Sequence, residues 1–199
     1  FRYVLMNNKT PLDRVSMHLM VQAGSLNEAD DQQGLAHFLE HMLFLGTEKY
    51  PDAAEYERFI TEHGGTHNAY TSFENTNYFF DINAPELPVA LDRFAQFFIA
   101  PRFEAQYVDR EKNAVEAEYQ MGLKSDERRG LDVLQEVINP EHPYSQFSVG
   151  TLDTLADRPG SAVRDELIQF YNKHYSANVM RLVVLGSQSL DELEALTRP

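Results

Sequence analysis

The chain contains no cysteine among its 199 residues, so it can form no disulfide bond and cannot hold zinc through thiolates. Any metal must then be bound by His, Asp or Glu, which favours a catalytic over a structural zinc site. Positive charge is scarce as well, since 17 Lys and Arg face 31 Asp and Glu and leave a net charge of −14. This balance argues against a nucleic-acid ligand, because phosphate binding needs a basic patch.

Long apolar runs are also missing. None approaches the roughly 18 residues that a membrane-spanning helix needs, so we expect no membrane span. The apolar content of 43% and the chain length are sufficient for one domain with a substantial core. No signal peptide is visible, there is no initiator Met, and Arg2 to Met6 already has the pattern of a strand. We therefore expect residues 1–199 to be a single domain from a longer protein.

The most informative segment is His37-Phe38-Leu39-Glu40-His41. Residues four apart share a helical face, so His37 and His41 point the same way, with Glu40 on that side. Two such imidazoles can bind one zinc ion while the glutamate acts on the bound water, as in other H-x-x-E-H motifs. The flanking residues are apolar, which predicts a buried helix. Because each buried polar group without a partner costs roughly 1–3 kcal/mol, we favour a zinc site over ordinary core histidines.

A third ligand is needed, because catalytic zinc usually has three from the protein. The acidic segment 110–119 is the natural source, and Glu111 and Glu118 are seven residues apart on one helical face. Spacing alone leaves both open as the ligand. Glu116 lies off that face, and we interpret it as solvated. We interpret the remaining histidines as structural or surface residues: His18, His63, His67, His142 and His174.

Hydrophobic periodicity and turn residues predict the order of the elements. We expect strands over about 2–6, 15–21, 66–72, 76–83 and 179–185. We expect helices over about 34–45, 51–63, 85–99, 104–124, 131–138 and 161–174, with a further one after Ser189. Capping boxes are predicted at 52–55 and 189–192, and Ser161 as an N-cap. Strand pairs among runs of helices predict an α+β fold, with a largely antiparallel mixed sheet and helices packed mainly on one face.

Several motifs together resemble the insulinase/pitrilysin family of zinc metallopeptidases, the inverzincins. The resemblance covers nearly the whole chain in order, and it is closer to the insulysin–pitrilysin branch than to the mitochondrial processing peptidases. The segments that carry it are His37 to Thr47, Asn68-Ala69-Tyr70-Thr71-Ser72, Thr76-Asn77-Tyr78, Asp92 to Phe98, Arg110 to Glu118, and Asn139 to Tyr144.

The resemblance implies Zn²⁺ as the cofactor and a role for each matching residue. His37 and His41 match the two zinc histidines of the family. Glu118 matches the third ligand, and Glu40 matches the catalytic glutamate. Glu111 matches a further glutamate of the catalytic site, one that supports the zinc histidines.

The resemblance also implies a substrate site and further domains. Asn68, Ala69, Tyr70 and Thr71 match an exposed strand edge that receives an extended peptide substrate, which agrees with backbone hydrogen bonding at an open edge. Members of this branch have four related domains in two halves. We therefore expect an N-terminal catalytic domain, weakly active alone, whose partners are the other domains of its chain. The alternative is a non-catalytic subunit or peptide-binding module. Relatives occur in the periplasm or inside cells, so the compartment stays open.

Overall fold

The computed structural model describes residues 1–198, which form one sheet and seven α-helices. The strands are β1 (Arg2–Asn7), β2 (Arg14–Val21), β3 (Thr66–Thr71), β4 (Thr76–Asn83) and β5 (Met180–Gly186). The helices are α1 (Leu35–Leu43), α2 (Glu55–Glu62), α3 (Leu87–Gln96), α4 (Ala105–Gly122), α5 (Asp126–Val137), α6 (Val163–His174) and α7 (Leu190–Thr197). Over this part of the chain no helix is both long and apolar enough to cross a membrane.

The sheet has the strand order β1-β5-β2-β4-β3. β5 runs parallel to β1, whereas the pairs β2–β5, β2–β4 and β3–β4 are antiparallel. The predicted α+β fold with a largely antiparallel mixed sheet is thereby confirmed. β3 pairs only with β4 among the described strands, so one side of β3 forms an edge of the sheet.

The side chains of β2 point alternately to the two faces of the sheet. Val15, Met17, Leu19 and Val21 are buried, whereas His18 between them is exposed. This period of two is expected for a strand with one face against a core. The buried face packs against the helices, and α1 in particular contacts β3, α4 and α6.

Two predicted helix starts are wrong because the side chains expected to cap these helices pair with other groups. The predicted capping box at 52–55 does not form: α2 begins at Glu55, whose carboxylate accepts a hydrogen bond from Arg93 Nε at 2.7 Å. Ser161 is not an N-cap either. α6 begins at Val163 after Ala162, and the Ser161 hydroxyl donates to Glu166 at 2.6 Å.

The capping residues of two other helices explain where those helices begin. α5 starts at Asp126, earlier than predicted, because the Ser125 hydroxyl accepts the N–H of Arg128 at its N-terminus. The capping box predicted at 189–192 is confirmed, since Ser189 and Glu192 each accept the other's backbone N–H. Both cases satisfy N–H groups that a helix leaves without an intrahelical partner.

Candidate metal centre

Helix α1 carries both motif histidines, and its apolar side chains anchor it in the core. His37 and His41 are half-buried and face the cleft between α1, α4 and β3. The large apolar side chains of the helix are nearly inaccessible, as expected for a helix that is apolar nearly all round. They are Leu35, Phe38, Leu39, Met42 and Leu43.

The start of α1 depends on a glycine and a distant carboxylate. Gly34 has φ +90°, and a Cβ there would lie 2.2 Å from Gly150 Cα, so the position accepts no side chain. The buried carboxylate of Glu28 accepts the N–H groups of Gly34 at 2.8 Å and Ala36 at 2.7 Å. The two oxygens of Glu28 thereby satisfy N–H groups that the start of a helix leaves without an intrahelical partner.

Helix α4 brings Glu118 next to the two histidines. His37 Nε2 lies 3.2 Å from His41 Nε2 and 3.3 Å from Glu118 Oε2. His41 Nε2 lies 3.5 Å from Glu118 Oε1. Three donors at 2.0–2.1 Å from one tetrahedral zinc ion would be separated by about 3.3–3.4 Å. The three side chains therefore fit a zinc ion in both donor type and spacing.

The other ring nitrogens show which atoms are free to bind a metal. His37 Nδ1 donates to the Val149 carbonyl oxygen at 2.7 Å, and His41 Nδ1 lies 3.4 Å from Glu111 Oε2. Both partners are acceptors, so they place the ring proton on Nδ1 and leave the lone pair on Nε2. Two Nε2 lone pairs and a carboxylate then face one another, an arrangement that requires a cation or a proton between them.

The charges of this cluster shift one another's pKa values. Burial lowers the pKa of His37, but its contact with Glu118 and the charge of Glu40 outweigh burial and raise it above the usual value. The contact with His37 in turn lowers the pKa of Glu118. Burial favours the neutral form of Glu111, but donors from His41 and Arg110 prevail and lower its pKa. A proton and a metal ion thus compete for the same donors.

Glu40 occupies the same helical side as the histidines and is only 7% exposed. The Thr71 hydroxyl, at the end of β3, donates to Glu40 Oε2 at 2.5 Å. Burial raises the pKa of Glu40, and this hydrogen bond opposes the increase without cancelling it. A carboxyl group held in this way can accept and return a proton in the cleft.

The cleft has a volume of about 630 Å³, and the open edge of β3 lines one side of it. Asn68 Oδ1 accepts the N–H of Ala69 at 2.9 Å, and the side chain of Tyr70 is 51% exposed. The structure brings all nine residues predicted for the site to this one cleft: His37, Glu40, His41, Asn68, Ala69, Tyr70, Thr71, Glu111 and Glu118.

Comparison with known proteins shows which family the chain belongs to. Residues 3–149 match the family model described as insulinase (peptidase family M16). The chain belongs to the insulinase family of peptidases. A second model, described as the peptidase M16 inactive domain, matches residues 161–199. The three donors that could hold a metal ion lie within the first match. Members of the insulinase family are zinc metallopeptidases, and a similar fission-yeast protein carries the name of a putative zinc protease.

Individual relatives are similar over almost the whole chain. Insulin-degrading enzyme-like 2 of Arabidopsis thaliana is 47% identical over 97% of this chain and 20% of its own length. Human insulin-degrading enzyme is 46% identical over 97% of this chain and 19% of its own. The crystal structure of pitrilysin superimposes with a TM-score of 0.94 at 39% identity, covering 98% of this chain and 21% of that one. The chain thus spans about a fifth of the length of these insulinase-family relatives.

Some residues that support the site were not predicted from the sequence. Val149 contributes only a backbone oxygen to His37, and a backbone oxygen leaves no mark in a sequence. Glu28 lies in a polar loop and resembles any solvated acid until its two buried hydrogen bonds are seen. His67, interpreted as structural or surface, lines the cleft with its ring centroid 5.3 Å from that of Phe44.

Proposed function

We propose that residues 1–199 form a zinc-dependent endopeptidase domain that hydrolyses peptide bonds of short or unstructured polypeptides. One observation carries the proposal: His37, His41 and Glu118 offer three donors to a single ion, and Glu40 lines the same cleft. Zinc held by three protein ligands keeps a position for water, lowers its pKa towards about 7 and polarises a carbonyl group.

Two glutamates have distinct roles in this proposal. Glu40 is the general base, which takes a proton from the attacking water and later delivers it to the leaving amine. The Thr71 hydroxyl orients Glu40 by holding one carboxylate oxygen. Glu111 acts through His41, because its carboxylate fixes the ring that carries a metal donor. Loss of such a partner typically reduces metal affinity or activity 10–100-fold.

The edge of β3 is the proposed substrate-binding strand. An extended peptide can add to an open sheet edge through backbone hydrogen bonds that place little demand on its sequence. The N–H of Ala69 is satisfied by the side chain of Asn68, and a peptide carbonyl would replace that acceptor. The exposed ring of Tyr70 would contact a peptide side chain, while Thr71 connects the strand to Glu40.

The domain assignment is part of the proposal. We infer that this stretch is a single zinc-binding domain, the N-terminal catalytic domain of a longer chain. Its insulinase-family relatives are about five times longer, so their remaining domains would complete the substrate chamber. In that case the isolated stretch binds zinc but cleaves peptides slowly.

Metal analysis and peptidase assays on matched variants test the function. We expect about one zinc ion per chain in the wild type and in Glu40→Gln, and no peptide hydrolysis by that variant even within the full-length protein. Glu118→Gln should lose zinc, whereas Glu116→Gln, two residues away on the same helix, should keep it. Strong residual turnover in Glu40→Gln would exclude the role given to that residue.

A non-catalytic subunit or peptide-binding module is the alternative. Such a protein would bind peptide without turnover in its full-length form. The intact donor cluster argues against it, because an inactive homologue has no need to retain both the metal donors and the adjacent glutamate.

A further inference from the structure

The cleft contains two arginines whose environments differ. Its ionisable walls include four carboxylates, from Glu40, Glu57, Glu111 and Glu118, and the guanidinium groups of Arg110 and Arg128. Arg110 is already paired: its Nε lies 2.8 Å from a Glu111 oxygen, and its guanidinium lies 4.8 Å from the ring centre of Tyr107.

Arg128, by contrast, forms no ion pair. Among residues 1–198, no carboxylate lies within 4.0 Å of its guanidinium. This includes the carboxylate of Asp132, one turn further along α5. Its one side-chain hydrogen bond goes to the backbone oxygen of Glu118, at 3.4 Å. A chain with a net charge of −14 therefore keeps a cation without a direct ion pair at the wall of its metal-binding cleft. At longer range this charge helps to lower the pKa of Glu118, after the larger effect of His37.

The surroundings of Arg128 define where that cation lies. Its backbone N–H is held by the Ser125 hydroxyl in the first turn of α5. Its side chain then folds across the last turn of α4, where a Cβ on Gly122 would come within 2.7 Å of Arg128 Cδ and Nη1. Gly122 thus leaves the space through which the arginine reaches the backbone of Glu118, the residue that also contributes a metal donor.

We propose that Arg128 determines specificity by binding a carboxylate of the peptide substrate. This inference rests on the proposed function. A guanidinium group without an ion-pair partner can form two parallel hydrogen bonds with a carboxylate, and a lysine or glutamine could not reproduce that geometry. Arg128 lines the same cleft as the metal donors and lies one hydrogen bond from the backbone of Glu118. The bound carboxylate therefore belongs to a substrate residue close to the scissile bond.

Two sources can supply that carboxylate: an acidic side chain, or the C-terminus of a short peptide. The neighbouring glutamates repel either one, so the preference should depend on Arg128 and weaken as salt screens the charges. Because the guanidinium is exposed, we expect only about a 1.5- to 5-fold preference in kcat/KM, expressed mainly in KM.

The test compares matched peptides that carry Glu, Gln or Lys at single positions flanking the cleaved bond, using the full-length zinc-loaded protein. The wild type should favour Glu over Gln at one of these positions. Arg128→Gln should lose this preference, and Arg128→Glu should favour Lys instead. Arg129→Gln is the matched control, because Arg129 is the next residue of α5 but pairs with Asp126 at 3.1 Å and does not line the cleft. It should retain the wild-type ratio.

A binding measurement separates this inference from the proposed function. Fluorescence anisotropy of labelled peptides on Glu40→Gln, with and without Arg128→Gln, gives the Glu-to-Gln affinity ratio without turnover. Each peptide is tested as a C-terminal acid and as an amide, which distinguishes the two sources of the carboxylate. A ratio that depends on Arg128 supports the inference even if the wild type cleaves none of the peptides. An unchanged ratio in Arg128→Gln, for both the side chain and the C-terminus, overturns it.

Discussion

Replacing Glu28 with glutamine tests which of two opposing effects controls the buried carboxyl group beneath α1. The side chain is 8% exposed and accepts the N–H groups of Gly34 and Ala36. Burial disfavours the charged form, whereas the two donors and the helix N-terminus favour it. Burial is the larger effect and raises the pKa of Glu28 from 4.5 to about 8.

The raised pKa determines the sign of the pH dependence. A carboxyl group whose pKa is higher in the folded state stabilises the fold fully below its unfolded pKa, and this stabilisation is lost as the pH rises through the folded pKa. At about 1.4 kcal/mol per pH unit, raising the pKa of Glu28 from 4.5 to about 8 corresponds to at most about 5 kcal/mol. Glu28→Gln does not titrate, but it leaves one N–H unpaired, at a cost of about 1–3 kcal/mol.

The wild type should therefore be more stable than Glu28→Gln at pH 5, and less stable at pH 9. Urea unfolding followed by circular dichroism at pH 5, 7 and 9 measures the difference, with a chelator present so that metal binding adds no pH dependence. Glu48→Gln is the control, because the Glu48 side chain is 73% exposed. If the advantage of the wild type grew from pH 5 to pH 9, the N–H donors would outweigh burial and our reasoning would be refuted.

Three further predictions concern the metal site, the start of α1 and a surface ion pair. Glu111→Gln should weaken zinc binding about 10–100-fold, measured by competition with a chelator, because the histidine that it orients loses a charged acceptor. Gly34→Ala should lower the free energy of unfolding by more than about 1 kcal/mol in urea titrations, because its φ is +90° and the new Cβ meets Gly150. A hydrogen bond from Lys49 lowers the pKa of Asp92, so the stabilisation by Asp92 exists above its unfolded pKa and disappears as the pH falls through its folded value. Asp92→Asn should therefore lower the urea midpoint slightly at pH 6 and have no effect near pH 2.

Elements with strong local signals were predicted almost to the residue. β3 and β4 were expected over 66–72 and 76–83 and form over Thr66–Thr71 and Thr76–Asn83. Their aromatic and β-branched residues and the turn between them are sufficient to define the hairpin. α1 was also predicted well, because an apolar run interrupted only by the motif indicates a buried helix.

Features that depend on distant partners could not be predicted. The periodicity of α4 placed Glu111 and Glu118 on one face but could not distinguish them, since both are consistent with helical spacing. Only the approach of α4 to α1 separates them: Glu118 lies near both Nε2 atoms, and Glu111 lies near His41 Nδ1. The start of α2 was misplaced for a similar reason, because Arg93, 38 residues later, takes the carboxylate that was expected to cap the helix.

The position of β5 inside the sheet, between β1 and β2, has a consequence for how the protein is made. A ribosome releases every metal donor, the last being Glu118, long before it releases Met180, where β5 begins. Until then β1 lacks its only neighbour among the described strands and β2 lacks one of its two. Unpaired strand edges are templates for association with other chains, and pairing across so long a separation is slow. A nascent chain interrupted before Met180 would carry a full set of metal donors on a sheet that lacks the strand between β1 and β2.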